Sequence, residues 1–408
     1  MTVKQRQVFY IHGFDPRGAR HYHQLYSSQS AQQASVNGLH IDVSARQRNS
    51  SHHHQWQLNT EHTHTQYNYL GWDDIVRQHW GKGWRQILND LYYVSLVYLL
   101  SGNVFTFAKA SVKQMMAGLY PIIYILLGTG ISLFAAFSGA DLIKAAMLHG
   151  PEQSNMFSGI SLMLTQQALP WLLGMIIFVL LMQGVKKLGD KLAAFWLLRI
   201  YAFTAKWAGG KVPALNQRST AFAEQITKAI QDPNNDEVVI IGHSVGTILA
   251  MPTMAAVLAA LPHNVANRHY FANHRVVLIT LGQCIPLMSF QPSAKDFREH
   301  LQQLGQTPHL TWLDYTAPTD GACFPLLDPI TSCGLTRSPN AGPQLLSPRF
   351  FTLYNAARYK KLRRAWYTMH FLYLMATDKT GPYDFFAFTA GPKRVVRHIN
   401  TPSGSRTL

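Results

Sequence analysis

Apolar residues in this chain fall into two patterns: short β-branched runs and long uncharged stretches. The clearest short run is Val238-Val239-Ile240-Ile241, which predicts a strand buried on both faces. Val8-Phe9-Tyr10-Ile11, Arg275–Leu281 and Leu310–Tyr315 predict further buried strands, and Leu39-His40-Ile41-Asp42-Val43 alternates as another. Helical periods stand between them. Leu70–Leu88 carries Trp72, Ile75, Val76, Trp80, Trp84 and Leu88 near one stripe, Ala214–Ile230 is closed by Asp232-Pro233, and an Ala/Leu-rich run follows Gly246. Strand–helix–strand repetition predicts an α/β fold with a mostly parallel sheet flanked by helices.

The long stretches interrupt this order. No charge occurs between Lys113 and Asp141, nor between Glu152 and Lys186. Leu119–Phe137 and Ala168–Met182 are apolar enough to cross a bilayer, with Tyr120, Tyr124 and Trp171 near the ends. Spans are predicted at about 117–138 and 166–185. Lys and Arg flank the outer ends of both, whereas the connecting loop holds only Lys144. The positive-inside rule therefore places both outer flanks in the cytoplasm, a two-pass arrangement in a cell (inner) membrane. Leu91–Ala108 is a third apolar run that could be a span, but His12-Gly13 and Ser244 can share one side of the membrane only if the crossings between them are even in number. It and Leu192–Trp207, broken by Arg199 and Lys206, therefore predict amphipathic helices on the membrane surface. The expected division is residues 1–83 and 211–408 for one α/β domain, with a helical membrane insertion at 84–210.

Composition changes the picture little. The 408 residues carry 36 Lys and Arg against 20 Asp and Glu, a formal charge of +16. No interleaving of aromatics with basic clusters, helix-turn-helix or finger spacing accompanies that charge, so nucleic acid is not an expected partner. A cationic surface facing an anionic bilayer fits it. Cys284, Cys323 and Cys333 are too scattered for a disulfide framework or a zinc site, and a reducing compartment is expected. The polar start, Met1–Gln7, leads straight into a strand, so no cleavable signal peptide is expected. Residues 46–66 hold His52-His53-His54 and His62-x-His64 without partnering cysteines; a surface loop, and no metal, is expected there.

The candidate chemistry lies where strand meets helix. Gly242-x-Ser244-x-Gly246 follows the Val238–Ile241 run directly, flanked by His243. Glycines at these positions allow a sharp turn that exposes a serine hydroxyl between a strand and a helix. Such a serine needs a base to take its proton and a carboxylate to orient the base. Asp320 lies just past the C-terminal end of a predicted strand, where functional residues of open α/β sheets collect, and Asp328 is its rival. Of the later histidines, His370 opens an aromatic segment that reads as buried, while His398 sits among Lys393, Arg394 and Arg397 near a frayed end. His243 is expected to point away from Ser244 or to line the pocket.

Gly242-His243-Ser244-Val245-Gly246, Thr280-Leu281-Gly282-Gln283 after the next strand, an aspartate after the one following, and His370-x-x-Tyr373 together resemble the α/β-hydrolase superfamily, and within it the class 3 lipases. The resemblance covers about residues 7–45 and 214–390. It implies a Ser244–His370–Asp320 triad and an oxyanion hole made by the backbone N–H groups of Phe14 and Val245, supported by the His12-Gly13 turn. It further implies a membrane-anchored serine hydrolase that cleaves a lipid or other acyl ester with no cofactor. Two other readings stay open: a hydrolase-fold membrane protein that binds a lipid or protein partner without turnover, and an acyltransferase.

Overall fold

The computed structural model describes residues 2–148, 167–261, 271–308 and 310–398. Nine strands lie in one sheet among them: β1 (Gln5–Ile11), β2 (Asp42–Val43), β3 (Gln47–Arg48), β4 (His53–Asn59), β5 (His64–Leu70), β6 (Glu237–His243), β7 (Val276–Leu281), β8 (Thr311–Tyr315) and β9 (Pro343–Leu346). Their order is β2-β4-β5-β1-β6-β7-β8-β9, with β3 paired to β4. From β5 to β9 every pairing is parallel, and β2, β3 and β4 add an antiparallel edge. The fold is α/β, with a mostly parallel mixed sheet flanked by helices.

The β-branched runs are central because both sheet faces are covered. Val8, Tyr10, Val239, Ile241, Val277 and Ile279 are buried on one side, and Phe9, Ile11, Val238, Ile240 and Leu278 on the other. A buried ion pair ties the start of the sheet to the far end of the chain. Arg6 Nε donates to Glu237 Oε2 at 2.8 Å, while its Nη atoms donate to the carbonyls of Gly391 and Lys393 at 2.8 and 2.9 Å. With Val395 N donating to Glu237 Oε1, few polar atoms of the pair are left without a partner.

The chain divides into two compact units, Met1–Met115 with Arg199–Leu408, and Met116–Leu198. The smaller unit is built from the helices Val112–Leu148 (from Met116 on) and Leu169–Lys191, both long and apolar enough to cross a membrane, with mean hydropathy 1.9 and 1.8. They meet along small residues. A methyl on Gly128 would stand 2.7 Å from Val185 Cγ1, and one on Gly174 would stand 2.9 Å from the Ala136 carbonyl oxygen. Large apolar side chains such as Leu126, Ile131, Phe134, Leu172 and Leu180 face outward. Small residues inside and large apolar ones outside is how helices pack where the surroundings are as apolar as Leu. The connecting loop lies outside the described residues.

Three expectations are corrected. Residues 46–66 are not a loop, because β4 pairs along its whole length with β5 and so satisfies its backbone at the sheet edge. Leu70–Leu88 is not one helix: Leu70 ends β5, and the helices Asp73–Gln78 and Trp84–Val94 are separated by Gly81-Lys82-Gly83. The Arg199–Ala208 part of the helix Ala194–Ala208 is buried in the larger unit rather than laid on a surface. Its charges are met inside. Lys206 pairs with buried Asp90 at 2.7 Å, and the Arg199 guanidinium stacks over Trp80 and donates to the Gly81 carbonyl at 3.1 Å.

Candidate active site

The strand order reverses at β1, which has β5 on one side and β6 on the other, and a crevice opens at such a switch point beyond the carboxyl ends of the strands. Ile11 stands in register with Gly242, so His12-Gly13-Phe14 and His243-Ser244-Val245 leave the sheet side by side. Ser244 has φ 57, the left-handed region, which costs a non-glycine residue about 1 kcal/mol or more. The turn is held by Ser244 N donating to the Leu281 carbonyl at 2.9 Å and by Thr247, whose N and Oγ1 donate to the Ser244 carbonyl at 2.9 and 2.6 Å. The helix Gly246–Ala260 starts at once.

Close approach explains the glycines. A methyl on Gly13 would stand 2.7 Å from Ser244 Cβ and 3.2 Å from its Oγ. One on Gly246 would collide with the carbonyl oxygens of Ile11 and His12, and one on Gly242 would meet Thr247 Cα at 2.9 Å. Among the described residues, the N–H groups of Phe14 and Val245 donate to no protein acceptor, although both residues are buried.

Asp320 and His370 meet 50 positions apart: His370 Nδ1 donates to Asp320 Oδ2 at 2.8 Å, with both side chains buried. Tyr373 Oη donates to the same oxygen at 3.1 Å, and Ala322 N to Oδ1 at 3.0 Å. Burial alone would raise the Asp320 carboxyl, but the His370 imidazole, then the Ala322 N–H and Cys323, outweigh it, and it lies below its ordinary value. Gly282, at φ 55, is the floor of the pair. A methyl there would stand 3.3 Å from both Asp320 Oδ2 and His370 Cε1, and 2.9 Å from the Tyr373 ring. Asp328 serves another turn: its Oδ1 accepts from Ile330 N at 2.9 Å, and its Oδ2 faces Arg337 Nη1 at 3.4 Å. His398 is not frayed, since its ring packs edge-on to Phe388 at 5.4 Å.

Two more histidines brace the site. His12 Nδ1–H donates to the Gly13 carbonyl at 2.7 Å, Nε2 accepts from Trp72 N at 3.2 Å, and the ring stacks between Tyr69 and Trp72. Burial lowers its pKa, so it is held neutral in that one tautomer. His243 points away from the serine, as its neighbouring position suggests. Its Nε2–H donates to the main-chain carbonyl of His370 at 3.0 Å. Burial, then the His370 ring, pull it down to about 3, so it stays a neutral donor.

Sequence reasoning missed this His243–His370 bond, the Gly282 floor and Cys284, whose Sγ lies 4.0 Å from Ser244 Oγ. Thr280-Leu281-Gly282-Gln283 and His370-x-x-Tyr373 were the only signals for them. A carboxylate-oriented imidazole, a strained serine and two buried amides are the parts that acyl transfer by proton shuttling requires. No group of three or more His, Cys, Asp or Glu that could hold a metal occurs among the described residues. Comparison of the chain with known families, with curated proteins and with solved structures finds no match in any of the three.

Proposed function

We propose that this chain is a membrane-anchored serine hydrolase of α/β-hydrolase type, cleaving a lipid or other acyl ester through an acyl-enzyme. The observation that carries the reading is the buried 2.8 Å bond from His370 Nδ1 to Asp320 Oδ2, and a serine at φ 57 on the strand–helix turn supports it. Ser244 Oγ attacks the acyl carbonyl while its proton passes to His370 Nε2. Asp320 accepts from Nδ1–H throughout and stabilises the imidazolium. The oxygen that takes up negative charge faces the N–H groups of Phe14 and Val245. Collapse expels the alcohol, which takes the proton from His370, and water repeats the sequence to release the acid. The two long apolar helices hold this unit at a bilayer, with their basic outer flanks and the catalytic unit on the cytoplasmic side.

The test is fluorophosphonate labelling of the full chain in detergent, wild type beside Ser244→Ala and His370→Ala. Wild-type labelling should be lost in the first variant and fall by about 10⁴-fold in rate in the second. A folded wild type that takes no label would overturn the reading.

A further inference from the structure

The larger unit carries a second apolar surface that its own packing does not use. Trp84–Leu100 and Asn103–Ala110 form a helix pair bent by 75°. Its inner face, Ile87, Val94, Tyr98 and Phe107, is buried. Tyr98 Oη donates to the Leu287 carbonyl at 3.4 Å, and the Phe107 ring meets Phe290 edge-on at 5.2 Å. Leu287 and Phe290 lie a few residues beyond Cys284 in the chain.

The outer face is also apolar. Leu88, Tyr92, Leu96 and Leu100 recur every fourth residue and are exposed, Leu100 at 80%, and Phe105 continues the row at 70%. Between Arg85 and Lys109 the one charged residue is Asp90, which points inward to Lys206. Exposed polar positions there, Asn89, Ser101 and Thr106, are uncharged. A helix apolar on both faces needs two apolar environments, and among the described residues protein supplies only one.

We propose that Trp84–Ala110 is an interfacial element of the larger unit itself, laid into the edge of the bilayer hydrocarbon by its Leu88–Tyr92–Leu96–Leu100–Phe105 face. Charge placement favours lipid as the occupant: the uncharged face is bounded by exposed Lys82 and Arg85 at one end and Lys109 and Lys113 at the other, where anionic headgroups would sit. The bend and the buried Asp90–Lys206 pair oppose a span through the segment, which would carry an ion pair into hydrocarbon. This placement rests on the membrane reading above and not on the chemistry at Ser244.

The test is depth measurement on the full chain in vesicles of phosphatidylcholine and phosphatidylglycerol. Single nitroxides are placed by Leu88→Cys, Leu96→Cys, Leu100→Cys and Phe105→Cys in a Cys333→Ser background, with Ile131→Cys as the control in the long helix. Labels on the row should collide readily with oxygen and be shielded from a water-soluble nickel chelate by about tenfold relative to a label at exposed Glu61. Free access of the chelate to Leu96 and Leu100 would overturn the proposal, as would exclusion of both reagents, which marks a protein contact. A label at Ile131 open to the chelate would remove the membrane reading along with it, so the two failures are told apart.

Discussion

The parallel centre of the sheet and its antiparallel edge are both rich in histidine, and they use it in opposite ways. At the centre, His12, His243 and His370 are buried, and each ring has at least one nitrogen with a directed partner: a carbonyl, an amide or a carboxylate. At the edge, His53 and His54 on β4 and His64 on β5 are half-buried or exposed and reach Asn68, Arg46 and Asn59 at 3.0, 2.7 and 3.0 Å. Counting histidines would rank the edge first. What separates the regions is burial, which makes each missing partner costly and so fixes one tautomer and one rotamer.

The largest effect that sharpens the contrast concerns a carboxyl in the parallel centre. Asp314 on β8 accepts from Thr280 Oγ1 at 2.6 Å, and burial raises it to about 8. The unfolded chain gives up that proton near pH 4, so the folded state binds one more proton between about pH 4 and pH 8. Stability is therefore fully present below pH 4 and is lost as pH rises through 8. Asp314→Asn cannot ionise. Thermal unfolding should show that its loss of stability between pH 5 and pH 9 is smaller than that of the wild type, by up to roughly 4 kcal/mol. Equal pH dependence in the two would mean that Asp314 is not held protonated.

A smaller effect is expected at His243. His243→Phe keeps a ring but removes the donor to the His370 carbonyl, and should slow fluorophosphonate labelling by roughly 10–100-fold through misplacement of the base. His243→Gln, which can still donate, should recover most of that rate. If both variants behave alike, the bond does no positioning. The smallest effect belongs to the edge: His53→Ala with His54→Ala should leave labelling within about twofold and unfolding within about 1 kcal/mol. A larger loss of labelling would erase the distinction between the two regions.

How much was legible follows the same division. Val238–Ile241 and Arg275–Leu281 could be read because strands covered on both faces leave unbroken apolar runs. Ser244 was legible from local turn chemistry, and Asp320 from its place after a strand; the structure sets Asp320, not Asp328, against His370. The bond from His243 to residue 370 had no local signal, because its partner lies 127 positions away. The histidine-rich edge was misread because polar side chains obscure a strand whose support is its backbone pairing with β5. Leu192–Trp207 was misread because Lys206 and Arg199 suggest a wet face, and their partners, Asp90, Trp80 and Gly81, come from a distant segment.

The adjacency of β1 and β6 bears on how the protein is made. β6 leaves the ribosome only after both long apolar helices, which at ordinary elongation rates is roughly 10–30 s after β5. Through that interval the chain holds β5, which covers one edge of β1 in the finished fold, but not Glu237–Gly242, which covers the other. The serine turn cannot be built until that edge is filled. Nascent chains stalled before residue 237 would thus lack the serine turn altogether and would leave one edge of β1 without the strand that covers it in the finished fold.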